Sequence, residues 1–127
     1  MKQFTSKRQT LGKIGEDLAT KFLVKHGFTV IERNFSSKNG EIDIICEKMS
    51  SLYFIEVKSM KYKLVSRETD SPSENMTKAK IQKIKRTIVD YFINRNVTCE
   101  TYQIDLCVVL VDDDARVGNV TLIRNIT

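Results

Sequence analysis

A chain of 127 residues is long enough to bury one sizeable core and too short for two, so a single domain spanning residues 1–127 is expected. With 41% hydrophobic and 29% charged residues and one proline, the composition is neither disordered nor fibrous, and no run of about eighteen apolar residues offers a membrane span. The 21 Lys and Arg outnumber the 16 Asp and Glu by five, which favours a polyanionic partner. Three cysteines without Cys-x-x-Cys spacing and one histidine argue against a zinc site and a Ser-His-Asp hydrolase.

From the N-terminus, Met1 to Arg8 has no apolar leader core, so a cytoplasmic protein without a membrane partner is expected. Leu11, Ile14, Leu18, Ala19, Phe22 and Leu23 recur at helical spacing, predicting an amphipathic helix from Thr10 to His26 with Gly27 as its C-cap. Gly12 and Gly15 weaken that helix by about 1 kcal/mol each, which suggests a close backbone approach. Glu16 reads either as a surface carboxylate favoured early in a helix or as an acid leaning over a sheet. His26 sits at the cationic helix end.

Residues Phe28 to Asn34 form a first strand, with a polar turn from Asn34 to Asn39. Two more strand-like runs follow as a hairpin, Gly40 to Cys46 and Leu52 to Ser59. Alternation in the second puts Phe54, Glu56 and Lys58 on one face, with Glu56 and Lys58 about 6.5–7 Å apart. In the first, alternation puts Ile42 and Ile44 on one face and Glu41, Asp43 and Ile45 on the other. Pairing the strands then brings Asp43 near Glu56, giving two acids with a lysine beside them. A wet sheet face is the ordinary explanation of such charges. Phe54 and Ile45 share that face, however, and ionisable groups on a covered face are candidates for function.

The segment Met60 to Asn75 is a long polar loop, expected to be a mobile flap beside Lys58. A second helix from Met76 to Asn94 buries Ile81, Ile84, Ile88, Tyr91 and Phe92 and is otherwise basic. Lys61 and Lys63 before it, with Lys78, Lys80 and Lys83 on it, are the candidate nucleic-acid contacts. Tyr102 to Val111 reads as a central strand interrupted by Asp105, which needs a partner there or belongs to the site; Val117 to Ile123 reads as an edge strand. Cys46 and Cys107 lie in apolar runs as small hydrophobes.

Gly12-x-x-Gly15-Glu16, Gly27-Phe28, Asn34, Gly40-Glu41-Ile42-Asp43-Ile44-Ile45, Phe54-Ile55-Glu56-Val57-Lys58 and Thr77-x-x-Lys80 together resemble the YraN-like family of small bacterial proteins. That family is similar to the archaeal Holliday-junction resolvases and to the restriction-endonuclease-like superfamily with its PD-(D/E)xK motif. The resemblance implies an α/β fold of the restriction-endonuclease-like kind, a central mixed β-sheet flanked by helices in the order αβββαββ. It implies a metal-dependent DNA endonuclease acting on branched or single-stranded DNA, with Asp43, Glu56, Lys58 and Glu16 catalytic. Where an arginine is common in the family, this chain has Gln103 ahead of Asp105.

Phosphodiester hydrolysis needs charge screening, a hydroxide-like nucleophile and a stabilised leaving oxygen, which Mg²⁺ or Mn²⁺ supplies. Asp43 and Glu56 are the expected direct ligands, the Val57 carbonyl an additional one, and Glu16 a ligand directly or through water; Lys58 would orient the water. A non-catalytic nucleic-acid-binding domain of the same fold is the alternative, and a protein-interaction domain with a solvated hairpin is a third. A homodimer would suit a junction-cutting enzyme by analogy alone.

Overall fold

The computed structural model of the chain describes residues 7–61, 76–112 and 118–127. Along the chain run α1 (Lys7–Lys25), β1 (Thr29–Ser37), β2 (Gly40–Lys48), β3 (Ser51–Lys61), α2 (Lys78–Arg95), β4 (Tyr102–Val111) and β5 (Gly118–Ile123), the order the sequence predicts. The five strands form one mixed sheet in the spatial order β1-β2-β3-β4-β5, with β3 and β4 parallel and the other neighbours antiparallel. Met49 and Ser50 make the tight turn between β2 and β3, both with positive φ, as a right-twisted hairpin requires. Parallel strands need a crossover, and α2 lies in the one between β3 and β4.

Each helix covers one sheet face. The α1 side buries Ala19, Leu23, Ile44, Cys46, Ile55, Cys107 and Val109; the α2 side buries Phe35, Ile45, Phe54, Ile84, Ile88, Tyr91 and Ile104. Burying each large apolar side chain is worth about 1.5–3 kcal/mol, so two covered faces supply the cohesion. Because β4 serves both layers, its apolar run is nearly continuous. Cys46 and Cys107 are core residues whose thiols burial pushes up to about 12, which leaves them unreactive. Among the described residues no helix is long and apolar enough to cross a membrane.

On α2, Ile81 and Phe92 are half-buried and not buried as expected, and two expectations about the strands also differ from the structure. β1 runs on to Ser37, three residues past the expected turn at Asn34. Ile42 and Ile44 do not share a face: Ile44 packs under α1 and Ile42 under α2. The cause lies across the ladder, where Asn34 holds a left-handed backbone (φ 57) between Arg33, paired with Ile44, and Phe35, paired with Ile42. The strands exchange faces there, which a strict period of two cannot anticipate. The expected flap falls mostly at residues 62–75, outside the described residues, as does Lys63; Met60 and Lys61 belong to β3.

Helix and sheet approach closely at Gly15. A Cβ there would stand 1.7 Å from the Ser59 hydroxyl oxygen and 2.7 Å from its Cβ, whereas a Cβ on Gly12 would meet no described atom within 4 Å. The two glycines therefore predict opposite outcomes in urea unfolding. Gly12→Ala should stabilise by about 0.5–1 kcal/mol through helix propensity alone. Gly15→Ala should destabilise by about 1–3 kcal/mol, because β3 must give way.

Candidate active site

The site forms where the sheet forks. β2 pairs with β3 from Lys48↔Ser51 only as far as Ile44↔Ile55, while β1 and β2 stay paired to Ser37↔Gly40 and β3 stays paired to β4 as far as Lys61↔Val111. Asp43 and Glu56 are the next residues on the two arms. In place of a ladder bond, the Val57 N–H donates to Asp43 Oδ2 at 2.7 Å. That short bond carries a carboxylate into a half-buried gap.

Opposite arms are braced by α2. Asp90 Oδ2 accepts from Ser37 Oγ and Asn39 Nδ2, both at 2.7 Å, tying the β1–β2 turn to the helix. Gly40 then lies under α2, where a Cβ would stand 3.1 Å from Thr87 Oγ1 and 3.2 Å from Lys83 Cε, at a φ of +152°. Only glycine fits that crowded corner without strain. At the helix start Thr77 is the N-cap, its hydroxyl accepting from the Lys80 N–H at 3.2 Å, which fixes the turn that bears Lys80.

Between sheet and helix lies a cleft of about 250 Å³. Glu56, Val57 and Lys58 form one wall, Lys80 and Lys83 the other, with Glu41 at the rim and Leu106 among the apolar residues. Lys58, Lys80 and Lys83 are exposed. The structure thus brings three of the predicted lysines into one cleft with Glu56, whereas Asp43 does not line it. Lys78 is exposed on the first turn of α2 but does not line the cleft, and Lys61 lies at the far end of β3.

The acids interact strongly. Burial pushes Glu56 up to about 8, helped by the charge of Asp43 and by a hydrogen bond to it, while the charge of Lys80 opposes the shift. Burial also raises Asp43, against the Val57 N–H; the charges of Glu16 and Glu41 add to the rise. Because their interaction raises Glu56 and lowers Asp43, the pair favours holding one proton, on Glu56, over ionising both groups.

Glu16 is brought to the edge of this cluster by the Gly15 contact, and its charge reaches Asp43. Its Oε1 accepts from Arg33 Nε and from Asn34 Nδ2, each at 2.9 Å, while Arg33 Nη2 reaches Asp17 Oδ1 at 2.8 Å. Burial alone would lower the Arg33 guanidinium, but bonds to the two carboxylates raise it. Among the described residues no three His, Cys, Asp or Glu side chains converge as metal ligands. What stands ready is a pair of hard oxygen donors, Asp43 and Glu56, and Mg²⁺ is ordinarily held by one or two carboxylates with substrate oxygens and water. That donor set fits such an ion.

Asp105 is set apart from the cleft. It pairs with Ile55, on the α1 side, is fully buried, and its Oδ1 accepts from Gln103 Nε2 and the Asn125 N–H at 2.8 Å each. Its role is to tie the C-terminal residues to β4. Sequence reading missed Arg33 and Thr87; a charged residue beside Asn34 was the available signal for Arg33, and nothing local marks Thr87 as fully buried.

The proton held by the pair fixes a pH dependence. Both carboxyls are raised, so between the ordinary carboxylate range and about 8 the folded chain holds more protons than the unfolded one, and stability falls as pH rises through that window. In EDTA, Glu56→Gln should match wild type near pH 5 and exceed it by about 1–3 kcal/mol at pH 9 in urea unfolding. A wild-type stability that rises between those values would refute the buried pair.

The chain is similar to known sequences over most of its length. The family described as "Uncharacterised protein family UPF0102" matches residues 15–111. A UPF0102 protein of Campylobacter jejuni subsp. jejuni serotype O:23/36 (strain 81-176) is 43% identical over 95 residues, 75% of this chain and 79% of the relative. One from Aliarcobacter butzleri (strain RM4018) is 38% identical over 112 residues, 87% and 96% of the two chains. Another, from Caldicellulosiruptor bescii, is 33% identical over 117 residues, 91% and 94% of the two.

Proposed function

The chain belongs to the UPF0102 family, and for it we propose a restriction-endonuclease-like fold and a divalent-metal-dependent DNA endonuclease activity, hydrolysing phosphodiester bonds at the Asp43–Glu56 pair. The observation that carries this reading is the placement of Asp43 and Glu56 on the two arms of the fork, with Glu56 lining a cleft shared with Lys58, Lys80 and Lys83. A solvated sheet face has no reason to bury two acids together, whereas a site that receives a cation and a phosphate needs both signs of charge side by side.

Asp43 and Glu56 would hold Mg²⁺ or Mn²⁺, which when bound screens phosphate charge and makes water more acidic. Asp43 is already oriented for this by the Val57 N–H. Glu56 must release the proton it holds. Lys58, beside the acids on β3, orients the attacking water and offsets charge on the phosphoryl oxygens. Water oxygen bonds to phosphorus as the bond to the leaving oxygen breaks; one proton of the water passes to solvent, and the leaving oxygen takes up a proton from solvent to become a hydroxyl. Lys80 and Lys83 hold the flanking phosphates, giving binding that depends on salt and little on sequence.

A nucleic-acid-binding domain without catalysis is the second reading, and the commitment of Glu16 to Arg33 favours it, since that acid is already paired with a cationic side chain. Cleavage and binding of labelled duplex, single-stranded and four-way-junction DNA in Mg²⁺, Mn²⁺ or EDTA separate the two. For the endonuclease, cleavage requires metal, and Glu56→Ala and Lys58→Ala each lower its rate by about 100-fold or more. Three lysine contacts give a slope of log affinity against log salt of about −2 to −3, and Lys80→Ala makes it shallower by about 1. Binding without cleavage in any metal would leave the binding domain; neither binding nor cleavage would refute both.

A further inference from the structure

We propose that Arg33 and Asn34 are positioning residues that hold Glu16 out of direct contact with the cation, so that Glu16 acts on it through water. This inference rests on the metal-dependent reading of the same acids and decides what their third member does.

Three features of the geometry carry it. Both donors, Arg33 Nε and Asn34 Nδ2, land on the same oxygen, Glu16 Oε1, at 2.9 Å, which pins that oxygen to β1 and leaves Oε2 outside these two bonds. The guanidinium also spans to Asp17 Oδ1 at 2.8 Å, so it grips two consecutive residues of α1 and cannot follow Glu16 inward without abandoning Asp17. Beneath them, Gly15 is seated against Ser59, so the backbone of Glu16 has no room to advance toward β3.

Charge points the same way. A guanidinium already neutralises Glu16, and a divalent cation bound to the same carboxylate would stand against it at short range. Water between them removes the conflict and keeps the benefit of the negative charge, which is already felt at Asp43. Asn34 reaches Glu16 from a left-handed backbone, φ 57, between Arg33 and Phe35, which pair with Ile44 and Ile42; asparagine tolerates that conformation better than most side chains.

Mn²⁺ affinity, followed by titration calorimetry and by the electron paramagnetic resonance of free Mn²⁺, tests the clamp without reference to cleavage. Asp43→Asn should weaken Mn²⁺ by about 100-fold or more, and Glu16→Gln by only about 2–5-fold. Arg33→Gln should tighten Mn²⁺ by about tenfold, by freeing Glu16 to ligate directly and by removing a positive charge. Asn34→Gly, which tolerates the left-handed backbone and changes no charge, should tighten it by about 2–3-fold, and this gain should vanish in a Glu16→Gln background. Thermal unfolding checks that each variant folds, and Asn34→Gly carries the cycle if Arg33→Gln does not. A Glu16→Gln loss as large as that of Asp43→Asn would overturn the proposal, as would an Asn34→Gly effect equal in both backgrounds. Absence of Mn²⁺ binding by wild type would instead refute the metal-dependent reading, and the clamp with it.

Discussion

The arrangement depends on one hydrogen bond, from the Val57 N–H to Asp43 Oδ2. Where β2 and β3 part, each strand would otherwise leave backbone groups without partners, and a buried unpaired N–H costs on the order of 1–3 kcal/mol. A side-chain carboxylate takes the place of the missing strand. The fork can then open without loss, and the acid that stabilises it is held facing Glu56. Structure and candidate chemistry therefore rest on the same atom.

Around that bond the charges are arranged in opposition. Arg33 answers Glu16 and Asp17, and Lys80 acts against the proton affinity of Glu56, while Asp43 and Glu56 as a pair favour holding one proton. Each device makes a cluster of acids tolerable near the core, where unpaired charge is expensive. Acid and base are thereby balanced at the fork.

The supporting frame is conventional α/β packing put to a specific use. α1 and α2 cover opposite sheet faces, and each brings charged side chains toward the fork: α1 brings Glu16 through the Gly15–Ser59 contact, and α2 brings Lys80 and Lys83 through the Thr77 cap and the Asp90 tie. Local sequence choices thus have distant effects. Thr77 caps a helix, and by doing so it sets where a lysine stands over an acid 24 residues earlier in the chain, at Glu56.

Much of this was legible in the sequence alone. Helical spacing of Leu11, Ile14, Leu18 and Phe22, the continuous run of β4, and the charges of Asp43, Glu56 and Lys58 within apolar strands are local patterns, and local patterns report element type and order reliably. The same charges marked the candidate site, because burying them requires a reason, but the sequence offered a paired hairpin there and not a fork. Tertiary structure alone decided the rest. The exchange of faces between Ile42 and Ile44 follows from the left-handed Asn34 on another strand; the commitment of Glu16 to Arg33 follows from α1 crossing β1; and the distance of Asp105 from the cleft follows from its pairing with Ile55. None of these is a property of neighbouring residues. Periodicity records which way a side chain points along its own strand, but the partner it meets there is set by packing between elements far apart in the chain.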